Sequence, residues 1–417
     1  MATPIKGESA PMTNQPLTGS LAHQQAARPD LQLVPSATRR PRVAFVVCDA
    51  GGGHRSAARA LTDTLHQSYP ECFDTVTVAI EDMIGPIGKQ FGNLYSGSYN
   101  LALQGGHYWL EPVIFGVLTA SRKSLQPFGI HHVRDSVRKL DADLIVTLIH
   151  GAHDALFEAM RVVGKVPNLT VVTDSVSIRP AWVHPACEQV VVSTPEARTA
   201  VENLGIDPSR ILLIGHPLDP AFSQPTRPVA ELRRRYFLQD RFTIMMMMGG
   251  TGGRNIYRFS QALIRAGLPV QIIACCGNDQ GLLRRMQALA AESSLPIKPL
   301  GYTTEISNLM AASDLLVTKP GPGTIMEAMA RDLPMILDDS NYTMWQEKGN
   351  VDYVRENNLG RVIGHTREFI PAVRLLLEQP GLHADMKAAV VSNKRIDASA
   401  QIAALIHQRL KSGPASD

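Results

Sequence analysis

The stretch Val43-Ala-Phe-Val-Val-Cys48-Asp-Ala-Gly51-Gly52-Gly53-His54-Arg55 decides the fold. Its uninterrupted apolar run reads as a strand buried on both faces, the mark of a parallel sheet. Glycines then turn the chain sharply, and Leu61 and Leu65 continue it as a helix. The same pattern returns in the second half of the chain as Phe242-Thr-Ile-Met-Met-Met-Met248-Gly249-Gly250-Thr251-Gly252-Gly253-Arg254. Around the first copy, strands are expected at Val43–Cys48, Thr75–Ile80, Leu144–Ile149, Leu169–Thr173, Gln189–Ser193 and Ile211–Ile214. Around the second they are expected at Phe242–Met248, Val270–Cys275, Leu315–Thr318 and Pro334–Leu337. Strands alternating with helices predict an α/β chain of two doubly wound, Rossmann-like domains with a cleft between them.

The expected boundaries follow composition. Residues 1–40 are rich in Pro, Gln, Ser, Thr and Ala and read as a disordered tail. They lack the apolar core of a signal peptide, and an organellar transit peptide is the lesser reading. One domain is expected over 41–220 and a second over 221–390. The linker is placed in the proline-rich stretch Pro217–Pro228. Over 391–417, Ile402, Leu405, Ile406 and Leu410 share one helix face and predict a helix packing back across the boundary.

Composition narrows the function. With 41 basic against 38 acidic residues in 417, bulk charge gives no basis for nucleic-acid binding. Five cysteines without CxxC spacing argue against a disulfide framework or structural zinc. No run of 18 apolar residues suggests a membrane span, so any membrane contact is expected to be peripheral.

Three loops carry candidate chemistry. A glycine loop at the carboxyl end of a first strand lets the backbone approach a ligand, and a helix N-terminus favours anions. His54 there reads either as a general base or as a cap. The loop Gly249-Gly250-Thr251 with Arg254 occupies the equivalent place in the second half, where Met245–Met248 read as strand core. The run Lys319-Pro320-Gly321-Pro322-Gly323-Thr324 offers backbone N–H groups to a diphosphate. Glu327, expected in the first turn of a helix beginning near Thr324, reads as a ribose ligand or as an acid complementing the helix dipole. Gln346, Glu347 and Asn350 read as sugar ligands or as a solvated loop. Two other patterns read as decoys. Asp141-Ala-Asp143 precedes its strand, at the wrong end for a ligand, and reads as a solvated loop, while beyond Asp154 no Cys, Asp or Glu cluster completes a metal set for His150-Gly-Ala-His153, which reads as a loop with acceptor contacts.

With these pieces in order, the chain from Val43 to about Gly360 resembles the monogalactosyldiacylglycerol synthase group of inverting GT-B glycosyltransferases. This group includes bacterial diacylglycerol glucosyltransferases. The matching residues are Gly51-Gly52-Gly53-His54-Arg55, Thr173-Asp174, Trp182-Val-His184, Gly215-His-Pro217-Leu-Asp-Pro-Ala-Phe222 and Met247-Met-Gly-Gly250. Gly321-Pro-Gly-Thr324 with Glu327, and Gln346-Glu-Lys-Gly-Asn350 with Tyr353, complete the set. Trp345 and Arg179 depart from the family pattern. The resemblance implies UDP-galactose or UDP-glucose as donor, diacylglycerol as acceptor, His54 as the base and no required metal or other cofactor. It also implies that the Met248–Gly253 loop and the Gly321–Thr324 turn hold the diphosphate, Glu327 the ribose, and Gln346, Glu347 and Asn350 the sugar.

The segment 85–134 holds seven of the 23 aromatic residues, among them Tyr108 and Trp109. Its basic residues Lys89, Arg122, Lys123 and Arg134 face the single acid Glu111. That composition fits an interface with anionic membrane lipids, or else a packed helical insertion. Gly52, Gly53 and Trp182 are expected on the acceptor side with it. The expected place is the cytoplasmic face of a membrane, bacterial first and plastid second. The alternatives are another lipid or polyprenyl acceptor, a nucleotide-sugar epimerase and a non-catalytic sugar-nucleotide binder.

Overall fold

The computed structural model describes residues 39–48, 52–85, 130–164, 166–249, 253–340 and 345–411. Gly51, Gly250, Thr251, Tyr108, Trp109, Arg122 and Lys123, and most of the aromatic–basic segment, lie outside the described residues.

Two parallel sheets of six strands form the frame. The first contains β1 (Arg42–Val47), β2 (Asp74–Ala79), β3 (Leu144–Leu148), β4 (Asn168–Val171), β5 (Val190–Val192) and β6 (Ile211–Leu213), in the order β2-β1-β3-β4-β5-β6. The second contains β7 (Phe242–Met247), β8 (Val270–Cys275), β9 (Ile297–Leu300), β10 (Leu315–Thr318), β11 (Met335–Asp338) and β12 (Gly360–Ile363), in the order β12-β11-β10-β7-β8-β9. Central strands are buried throughout, because helices cover both faces. Met245 to Met248 are all core.

The second sheet has two strands beyond those expected, and both are edges. The strand β9 carries Pro299 and is half-buried along its length, and β12 opens on Gly360. Proline is tolerated at an edge, where a missing N–H costs no ladder bond. Neither segment shows the continuous apolar run that marks a covered strand.

Strand order places the chemistry. In the first sheet the order reverses at β1, which pairs with β2 on one side and β3 on the other. In the second it reverses at β7, flanked by β8 and β10. Ligands of open parallel sheets bind beyond the carboxyl ends of strands at such switch points. The loops after β1 and β3 carry His54 and His150, and those after β7 and β10 carry Gly249 and Lys319–Gly323.

The C-terminal helix Ala398–Lys411 returns to the first sheet. Ile402, Ala403 and Ile406 are fully buried in the cluster that contains Val43, Phe45 and Leu61. Burying each isoleucine contributes about 1.5–3 kcal/mol. Ser399 Oγ accepts from Leu218 N at 2.9 Å and donates to Leu218 O at 2.6 Å. This ties the helix to the proline-rich crossover, where Phe222 is also buried.

Candidate active site

His54 is the second residue of the helix Gly53–Ser68. It does not cap that helix, because the cap position is Gly52 and no side chain bonds there. Its Nδ1 lies 3.0 Å from Thr173 Oγ1, just beyond β4. The ring stacks on His150 at 5.3 Å between centroids and lies 5.4 Å from Trp182. Burial pushes His54 down to about 3, with His150 and His216 adding repulsion. Burial likewise takes His150 to about 4, helped by Arg179, and His216 to about 4. All three imidazoles are therefore unprotonated at neutral pH. In the tautomer whose Nδ1–H donates to Thr173 Oγ1, neutral His54 presents Nε2 as a proton acceptor.

No described atom comes within 4 Å of a Cβ built on Gly52 or Gly53, so among the described residues the approach to this helix start is open. Trp182 is fully buried, and its Nε1 donates to Asp174 Oδ2 at 2.6 Å. It forms a wall of the histidine cluster rather than a surface contact. Burial pushes the Asp174 carboxyl up to about 7 against the Trp182 bond, with Glu347 adding to the rise.

On the donor side, Gly249 adopts φ +93°, a left-handed conformation that favours glycine. It lies beside Lys319, whose Nζ is 3.2 Å from Glu347 Oε1. Asn350 Nδ2 donates to Pro320 O at 2.9 Å, which fixes the Gly-Pro-Gly turn. Glu347 and Asn350 thus hold the turn in this state. Gln346 is the second residue of the helix Trp345–Glu356, and Arg254 opens the helix Arg254–Ala266. Asn255 in the next position donates to Asp338 Oδ2 at 2.6 Å, so that carboxylate anchors the glycine loop.

The helix after the turn begins at Pro322, two residues earlier than expected. Glu327 therefore lies in its second turn. A dipole-complementing acid acts within the first turn, so that bland reading fails. Burial pushes Glu327 up to about 7, with Asp219 adding repulsion.

The two sides meet. A Cβ built on Gly323 would lie 3.7 Å from His216 Nε2. A Cβ on Gly349 would fall 2.4 Å from Ser177 Oγ and 2.8 Å from Val176 Cγ1, so only glycine allows this approach. His216 thereby bridges His54 and the start of the Pro322–Ala330 helix. Its buried Nδ1 has no hydrogen-bond partner among the described residues.

Residues 54–218 match the family model described as monogalactosyldiacylglycerol (MGDG) synthase, and residues 244–369 match the glycosyltransferase family 28 C-terminal domain. The chain is 30% identical over 353 residues to probable monogalactosyldiacylglycerol synthase 3, chloroplastic, of Oryza sativa subsp. japonica, covering 80% of this chain and 67% of that one. The chain belongs to the monogalactosyldiacylglycerol synthase family. It is also 28% identical over 348 residues to the chloroplastic monogalactosyldiacylglycerol synthase of Spinacia oleracea, covering 80% of this chain but 65% of the spinach protein. Acinetobacter baumannii MurG superposes with a TM-score of 0.62 at 14% identity, covering 88% of this chain and all of that one. That likeness shows the fold, which is GT-B.

Within the monogalactosyldiacylglycerol synthase match lie His54, His150, Thr173, Trp182 and His216. The roles of Thr173, His150 and His216 within the site were not legible in the sequence. Each sits just beyond a strand end, and the parallel register alone brings them together. The decoys resolve by place. Asp143 Oδ2 accepts from Arg42 N at 2.7 Å at the opposite end of the sheet, so it is part of the sheet's own bonding rather than a solvated loop. His153 turns away to Ala181 O, 2.9 Å from its Nδ1, while His150 joins His54.

The five shifted groups set an acid response. A histidine depressed in the fold loses stability as pH falls below its ordinary 6.5, and an acid raised in the fold loses stability as pH rises from about 4 towards 7. Between these limits His54, His150 and His216 take up protons on unfolding, and Asp174 and Glu327 release them. Within the site three groups take up protons against two that release them, and His184 and His407, also held below their ordinary value by burial, add to the uptake, so stability falls on acidification. Asp174→Asn removes one opposing group and steepens that fall. Urea midpoints at about pH 6 and about pH 5 check this, and an equal or shallower slope in the variant contradicts it.

Proposed function

We propose that this protein transfers a hexose, galactose or glucose, from a UDP-sugar to 1,2-diacylglycerol at a membrane surface, with inversion at the anomeric carbon. His54 takes the proton of the acceptor hydroxyl. The hydroxyl oxygen bonds to the anomeric carbon as the bond to UDP breaks, and UDP leaves with the electron pair. The observation that carries this reading is the meeting at the cleft. A neutral imidazole at the first sheet's switch point stands one histidine away from a glycine-rich helix start at the second. A base and a stabilised diphosphate leaving group are what inversion requires. Family membership supports the glycolipid product. Incubation with radiolabelled UDP-hexose and diacylglycerol vesicles is expected to move label into the lipid phase, and label remaining in water overturns the reading.

The leaving charge is met by helix N–H groups, Lys319 and Arg254, so the reaction needs no metal. Activity is expected to persist in excess EDTA, and loss restored by Mg²⁺ or Mn²⁺ contradicts this. Asp338, whose carboxylate is held by Asn255 and Ser340, would then be a candidate metal ligand.

The acceptor cannot leave a bilayer cheaply, so the enzyme comes to it. Among the described residues no helix is long and apolar enough to cross a membrane. Of the four basic residues in 85–134, Arg134 is paired with Glu158 at 3.8 Å, and Lys89, Arg122 and Lys123 lie outside the described residues. Each basic residue near an anionic surface contributes about 1 kcal/mol. Reversing Arg122 and Lys123 to glutamate is expected to weaken flotation with anionic vesicles by about tenfold or more and leave UDP affinity unchanged. Equal binding to neutral and anionic vesicles at all salt concentrations refutes the electrostatic contribution.

A further inference from the structure

Cys48, His54 and His150 present ligand atoms that all lie within 4.8 Å of one another. The pairing of Val47 with Leu148 across β1 and β3 sets Cys48 beside the His150 loop. Cys48 Sγ lies 3.5 Å from His150 Nδ1. Zinc–sulfur and zinc–nitrogen bonds of about 2.3 and 2.0–2.1 Å at a tetrahedral angle separate the two ligands by about 3.5–3.6 Å. One pair already has that spacing, and His54 reaches it by closing up to about 1.3 Å on the thiolate and about 1.5 Å on His150.

We propose that Cys48, His54 and His150 form a site for a soft divalent cation of the zinc type, and that the cation inhibits transfer by engaging His54. The inhibitory half rests on the proposed role of His54 as base, but the binding half does not. One thiolate and two imidazoles suit zinc better than magnesium or calcium, whose ligands are oxygens. Thr173 on His54 Nδ1 is the kind of outer partner that fixes a ligating ring. Arg179 opposes positive charge at His150, and ionisation of the Cys48 thiol offsets one unit of the incoming charge. Three protein ligands leave the fourth position open, as in sites where metal meets solvent or substrate.

The test is titration of EDTA-treated, dialysed protein with Co²⁺, followed by absorption and by competition with Zn²⁺. One equivalent is expected to give a thiolate-to-cobalt charge-transfer band that zinc displaces. Cys48→Ser should abolish the band, and His150→Gln should weaken binding by more than the roughly 10–100-fold that loss of an outer partner costs. Unchanged UDP affinity shows that each variant is folded. Stoichiometric zinc should inhibit hexosyl transfer by the parent and spare Cys48→Ser. Absence of the band, or a band that persists in Cys48→Ser, overturns the site. A band present in the parent with transfer unaffected by bound zinc leaves the site standing and removes His54 as the base.

Discussion

Replacing His54 with alanine is expected to lower turnover by about 10²–10⁴-fold, the contribution of a positioned general base. UDP affinity should change little, because the proposed diphosphate and ribose contacts lie on the second sheet. Neither of the other two imidazoles in the cleft replaces the base readily. His150 stacks against the same ring and shares its Nδ1 with Cys48. His216 is directed to the leaving-group side, against Gly323. The pH profile separates these roles. With His54 held down to about 3 in the free enzyme, kcat/KM measured in the Glu327→Gln background, which lacks the titrating ribose ligand, should stay high through the ordinary imidazole range as pH falls. An imidazole this depressed is a weak base, and the anionic donor, once bound, favours its protonated form and strengthens it. The acid limb of kcat should therefore lie above that of kcat/KM. Turnover unchanged in the variant removes the assignment.

Glu327→Ala is expected to weaken UDP binding by about 1–3 kcal/mol, or roughly 5- to 150-fold. Desolvation has already raised this carboxyl to about 7, so near neutrality it exists in both protonation states. Ribose hydroxyls donate best to the carboxylate, so UDP binding should lower its pKa and release a fraction of a proton. UDP affinity should then fall as pH drops from about 7 to about 6, and that dependence should vanish in Glu327→Gln. Calorimetry in buffers of different ionisation enthalpy reads the proton directly. Equal affinity of parent and alanine variant moves the ribose contact elsewhere.

How much of this was legible varies with the distance over which a signal acts. The central strands announced themselves as continuous apolar runs because both of their faces are covered. The edges β9 and β12 did not, because half-exposed strands carrying Pro299 or Gly360 have no such run. Glu327 and the glycine turns were legible because strand, turn and helix are contiguous, although the helix start was misplaced by two residues. The histidine cluster was not. The partner of His150, Cys48, stands 102 residues earlier in the chain. Thr173, His216 and Cys48 acquire neighbours only through parallel register, which no local pattern encodes.

The central claim is that a hexose is transferred to diacylglycerol with inversion, and proton NMR of the purified lipid product tests it most directly. The sugar in UDP-glucose and UDP-galactose is α-linked. The anomeric proton of the product should therefore show the large axial–axial coupling of a β-linked hexosyl-diacylglycerol. An α-linked product, or recovery of an epimerised UDP-sugar with no glycolipid, would contradict the account.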